Sequence, residues 1–97
     1  MSESKEIVCL SVLDALLKEN FSEDEYSING SKECAVCIEK QNYAWNVFGS
    51  ERNSRNDEVQ FSNVVEACLD VIECMFLSKS EQAKSAFLDK IIVSQIA

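Results

Sequence analysis

Ninety-seven residues, 46% of them apolar and 27% charged, suit one domain and are too hydrophobic for a disordered acidic tail. Seventeen acidic against nine basic side chains give a formal charge of −8, which disfavours nucleic acid and acidic membranes and favours a basic partner. Histidine and proline are absent, and without histidine the chain lacks the commonest general base and a frequent metal ligand. The first predicted element is an amphipathic helix from Glu3 to Asn20. Ile7, Leu10, Leu13, Leu16 and Leu17 recur at steps of three and four, with Lys5, Glu6, Asp14 and Lys18 on other faces. Asn20 is a plausible stop, with Phe21 folding back onto the core.

An acidic connector, Ser22-Glu23-Asp24-Glu25, precedes a change of period. Tyr26-Ser27-Ile28-Asn29 alternates as a short strand, and Asn29-Gly30 signals a turn. A second strand is expected from about Cys34 to Lys40, with Cys34, Val36 and Ile38 on one face. Gln41-Asn42 supplies a tight turn into a third strand, Tyr43 to Ser50, where Tyr43, Trp45 and Val47 alternate with Ala44, Asn46 and Phe48. These three read as an antiparallel meander. Residues 51–58 are polar throughout and read as a loop, after which Val59-Gln60-Phe61 adds a short fourth strand at the edge. Ser62 or Asn63 caps the next helix, Asn63 and Glu66 having capping-box spacing. That helix carries a wide apolar stripe from Val64 to Phe76. Ser78-Lys79-Ser80-Glu81 interrupts it, and a last helix carries Ala83, Ala86, Phe87, Leu88, Ile91, Ile92 and Ile96. The expected fold is a single α+β domain: an N-terminal helix, a three- to four-stranded antiparallel meander, and two C-terminal helices packed on the sheet.

The N-terminal residues show no basic stretch leading into an apolar core of signal type, and the apolar runs are far shorter than the roughly 20 residues a membrane span needs. The chain is expected in the cytoplasm. Its five cysteines, odd in number and set among apolar neighbours, read as reduced, buried thiols. Cys34-Ala35-Val36-Cys37-Ile38 contains a C-x-x-C, yet residues three apart on a strand point to opposite faces, and no second pair completes a zinc site. No metal or cofactor is expected. Glu23, Asp24 and Glu25 lie in a connector that offers neither the burial nor the held neighbour that catalytic carboxylates need. Gly30 and Gly49 are the only glycines, so a phosphate-cradling loop is ruled out. Arg52 and Arg55 with Tyr43 and Trp45 are the sole candidates for a nucleic-acid stripe, and Glu51, Asp57 and Glu58 surround them. The expectation is a binding protein without catalysis. Its candidate partner-contacting residues are Glu23, Asp24, Glu25, Glu33, Glu39, Tyr43, Glu51, Asp57 and Glu58, acids around the sheet with Tyr43 as an aromatic anchor. Tyr26 and Trp45 are further aromatic candidates, and core packing suits Trp45 better than Tyr43.

Trp45-Asn46-Val47-Phe48, Glu51-Arg52-Asn53, Phe61 and Val65-Glu66-Ala67-Cys68-Leu69, in that order, resemble the small immunity proteins of bacterial polymorphic toxin systems, those of contact-dependent growth inhibition above all. Tyr26-Ser27-Ile28-Asn29-Gly30 and Cys37-Ile38-Glu39-Lys40 fit the same layout. The resemblance spans roughly residues 7–77, and the helix beyond Ser78 looks like an addition. It implies a cytosolic monomer that binds a cognate toxin one-to-one and occludes its active site. Such toxins are often nucleases with basic clefts, which an acidic inhibitor suits. It also implies that Glu51 and Arg52 pin a loop first and touch the toxin second. The rival reading is an acidic secretion chaperone, which would dimerise and hold an effector segment on apolar grooves. An enzyme is a third option, needing a concave pocket lined by perturbed carboxylates.

Overall fold

The computed structural model describes residues 2–30, 32–51 and 54–96. Helix α1 (Ser2–Asn20) is followed by a 3₁₀ turn (Glu23–Glu25) and strands β1 (Tyr26–Ile28), β2 (Ala35–Gln41), β3 (Ala44–Glu51) and β4 (Ser54–Phe61). Helix α2 (Val64–Phe76), a second 3₁₀ turn (Leu77–Lys79) and α3 (Ser80–Ile96) complete the chain. This is the α+β architecture the sequence predicts, with one sheet in the order β1-β2-β3-β4.

The expected apolar face of α1 is present from Leu10 to Leu17, and only Ile7 departs from it. Cys9, Leu13, Leu16 and Leu17 are buried, whereas Ile7 is 63% exposed. Asn20 ends the helix as expected: its Nδ2 donates to Leu16 O at 2.8 Å, while Phe21 N donates to Leu17 O at 2.7 Å. Asn63 likewise caps α2, its Oδ1 accepting from Val65 N at 2.7 Å. Helix α2 packs across β2, β3 and β4, whereas α3, expected on the sheet as well, lies instead on α1 and α2 and enters the core through Ala83, Phe87 and Ile91. These join Ile38, Trp45 and Val47 from one face of the sheet. The other face carries a separate small cluster, Ala35, Cys37 and Phe48.

Two features correct the expected sheet. First, β1 runs parallel to β2, with Tyr26 beside Val36 and Ile28 beside Ile38, so the sheet is mixed and only β2-β3-β4 is an antiparallel meander. Parallel neighbours ordinarily need a long crossover. Here β1 has three residues and spans only about 10 Å, so the connection 29–34 can return the chain to the same end. Left-handed residues stand at both ends of that connection, Asn29 at φ 64° and Cys34 at φ 58°. The Asn-Gly turn is therefore present but does not make a hairpin, and Cys34 precedes β2 instead of facing with Val36 and Ile38.

Second, residues 51–58 are not a loop. Strand β3 runs through Glu51 and β4 starts at Ser54, pairing Ser54 with Glu51, Arg55 with Ser50 and Asn56 with Gly49. The polar composition misleads because β4 is an edge strand with Asp57, Glu58, Val59 and Gln60 all exposed. Backbone pairing with β3 imposes the extended form without an apolar face. A bulge shifts the register between Val47 and Gly49, and Asp57, at φ 54°, lies in that stretch. Such an acidic, bulged edge resists unwanted strand pairing. Arg52 and Asn53 of the expected Glu-Arg turn lie outside the described residues. Among the described residues, no helix is long and apolar enough to cross a membrane.

Candidate functional site

Parallel pairing puts the start of β1 beside the start of β2, and antiparallel pairing puts the end of β3 and the start of β4 there as well. Four of the acids singled out from the sequence thus gather at one end of the sheet: Glu23, Asp24 and Glu25 in the turn before β1, and Glu33 just before β2. Glu51, the last residue of β3, is at the same end by its backbone position. The turn is well fixed. Ser22 Oγ accepts from Asp24 N at 3.3 Å, and Glu25 Oε2 accepts from Ser22 N at 2.7 Å, a reciprocal capping box. Lys32 Nζ donates to Glu23 O at 2.6 Å, tying the β1–β2 connection to the turn.

These acids flank a pocket of about 470 Å³ lined by Phe21, Glu25, Cys34, Val36, Gly49 and Met75, among others. Phe21 comes from the end of α1 and Met75 from the end of α2. Their neighbourhood is locked by an edge-on contact between Phe21 and Phe76, ring centroids 5.0 Å apart at 79°. The pocket thus combines apolar wall atoms with one carboxylate, and exposed Asp24 and Glu33 stand next to its lining residues in sequence, with Glu23 one position further. Sequence reasoning does not mark Cys34 and Met75 as pocket residues. Met75 sits on a stripe that reads as core, and only the topology brings it to Cys34.

The remaining candidates are dispersed. Tyr43 is 95% exposed, in the two-residue turn between Gln41 and Ala44 at the opposite end of the sheet. Tyr26 and Trp45 are buried in the core. Lys40 Nζ lies 5.9 Å from the centroid of the Trp45 ring and 2.9 Å from Glu6 Oε2. Glu39 and Glu58 fall on the face of the sheet that carries Cys37 and Phe48. On that face Asn46 is buried, donating from Nδ2 to Gln41 Oε1 at 2.9 Å, and among the described residues its Oδ1 has no partner. Asp57 belongs to the β4 edge near α2, where its charge reaches Cys74.

The thiols depart in part from expectation. Cys9, Cys37 and Cys68 are buried, but Cys34 and Cys74 are exposed. Cys37 Sγ lies 3.7 Å from both Lys32 O and Ala35 O. Burial pushes the Cys68 thiol up to about 12 and raises that of Cys9. Desolvation also raises Cys74, helped by Asp70, Glu73 and Asp57. Asp70 itself is raised, first by desolvation and then by Glu73, with Lys84 opposing. Among the described residues, no three His, Cys, Asp or Glu side chains are grouped to hold a metal ion. Lys32, two residues before Cys34, has its ammonium on Glu23 O, so the acidic end of the sheet also carries a cation.

Sequence reasoning also missed a groove of about 410 Å³ between α1 and α3, lined by Ser11, Val12, Ala15, Asp89, Lys90 and Val93. Its signal was available in Val93, two residues beyond Ile91, the last of the buried stripe of α3. No family model matches the chain, and neither a characterised protein sequence nor a solved structure is significantly similar to it.

Proposed function

We propose that this chain is an immunity-type protein that works in the cytoplasm, binding a basic, nuclease-type toxin domain one-to-one and covering its active site without catalysis of its own. The observation that carries the reading is the convergence of Glu23, Asp24, Glu25 and Glu33 on one end of the sheet, beside a pocket whose lining mixes apolar side chains with Glu25 and Ser50. Fields of this kind steer a basic partner and select against acidic ones. The capping box of the 23–25 turn and the Lys32–Glu23 bond hold the acidic turn in place, which limits the ordering cost of association.

The test is co-expression with the C-terminal domain of the protein encoded immediately upstream in the genome of origin. The reading expects survival with this chain, death without it, and a stoichiometric complex on purification. Reversing Glu23 and Asp24 to lysine should slow association about tenfold at low salt and far less at high salt. Reversing Glu66 and Asp89, which lie on α2 and α3, should change it little. Equal effects of the two pairs, or none from either, would remove this end of the sheet from the interface.

The secretion-chaperone reading is favoured by one feature, the α1/α3 groove with Val12, Ala15 and Val93. It requires a dimer and an extended, unfolded client. Sedimentation of the free protein and of its complex separates the two.

A further inference from the structure

We infer that the pocket at the acidic end of the sheet receives an arginine side chain of the basic partner. This rests on the reading above and specifies what its contact consists of. The pocket is an open depression of about 470 Å³, with room to admit a long side chain from a partner surface. Its lining sorts the possible occupants by chemistry. A purely apolar side chain would strip water from Glu25 and leave that carboxylate unmatched. An acidic one meets Glu25 directly and Glu23, Asp24 and Glu33 close by. A long cationic side chain satisfies both parts, its methylene stem against Val36 and Met75 and its charged head at Glu25.

Arginine suits the pocket better than lysine for two reasons. The guanidinium is planar and more weakly hydrated than an ammonium, so it leaves water at less cost. It also stacks on aromatic rings, and Phe21 is held in place by its contact with Phe76. Glu25 is already oriented, because Oε2 accepts from Ser22 N at 2.7 Å. A fixed carboxylate binds a fork of N–H donors with little further ordering.

The experiment is an NMR titration of the whole chain with four capped tripeptides, Gly-X-Gly with X arginine, lysine, leucine or glutamate. The expected result is saturable shifts confined to the amides of Ala35, Val36 and Gly49 and the Met75 methyl, strongest for arginine, weaker for lysine and absent for the other two. Glu25→Gln keeps an oxygen to accept from Ser22 N and removes the charge, so the turn is retained while arginine binding weakens by about fivefold. In a Cys74→Ser background, the arginine peptide should also slow alkylation of Cys34. Leucine binding as well as arginine, an unchanged Glu25→Gln variant, or unsaturable shifts spread over all the acids would each overturn the assignment. No toxin enters this titration. Toxin binding with a silent pocket would sink the arginine assignment alone, and an arginine pocket in a protein that ignores the toxin would sink the immunity reading alone.

Discussion

Replacing Leu77 with glycine should stabilise the protein. Leu77 ends α2 at φ 53° and ψ −115°, a region that side chains with a Cβ strongly avoid and glycine tolerates. The strain of such a residue is on the order of 1–3 kcal/mol. Its N–H donates to Glu73 O, a bond glycine keeps. The leucine side chain is 73% exposed, so truncation forfeits about a quarter of the roughly 2 kcal/mol that full burial brings, near ~0.5 kcal/mol. Glycine's greater freedom in the unfolded chain costs about 0.5–1 kcal/mol. The balance is a gain of about 1 kcal/mol, or roughly 5 °C in Tm for a domain of this size. Leu77→Ala loses the same burial and relieves none of the strain, so it should fall below wild type by about 0.5 kcal/mol. Urea melts followed by far-UV circular dichroism would rank the three as glycine, leucine, alanine. A glycine variant no more stable than the alanine one would refute the strain argument.

Asp70 gives a pH signature. Its folded pKa is raised above the ordinary 3.8 by desolvation and by Glu73, so the unfolded chain gives up this proton first as pH rises. Stability from this group is therefore full below 3.8 and is lost as pH climbs through the folded value. Asp70→Asn should match wild type in acid and exceed it at neutral pH, the gap opening just above 3.8; a gap constant with pH would contradict this. The thiols should divide under iodoacetamide at pH 8, with Cys34 labelled before Cys74, whose pKa is raised by burial and its acidic neighbours. Cys9, Cys37 and Cys68 should label only as the protein unfolds, and early labelling of Cys68 on peptide mapping would count against the packing described.

The helices and the central hairpin were legible because they obey local rules. Leucines at three- and four-residue steps marked α1, Asn63 marked the start of α2, and Trp45 and Val47 alternated on β3. Errors arose where a distant partner decides the conformation. Ile7 fits the α1 period with Leu13, Leu16 and Leu17, but in the first turns of α1 it is Cys9 that is buried while Ile7 stays exposed. Strand β4 has no apolar signal before Val59, yet it is extended from Ser54 because β3 offers it a ladder. The apolar sequence neighbours of the cysteines cannot report that Cys34 sits outside β2 and that Cys74 is exposed on α2.

The direction of β1 decides whether a site exists at all. Read as a hairpin, β1 would start beside the end of β2, and Glu23, Asp24 and Glu25 would stand near Tyr43. Glu33 would stay at the far end with Glu51, a sheet length away. Pairing Tyr26 with Val36 reverses this, placing the acidic turn next to Glu33 and separating both from Tyr43. The same reversal brings the turn to the ends of α1 and α2, where Phe21 and Met75 supply the apolar walls. Short length made it possible, since a three-residue strand can be doubled back within the connection 29–34. A run of acids that the sequence presents as a solvated connector thus places one member, Glu25, in the lining of a pocket, through the orientation of a single short strand.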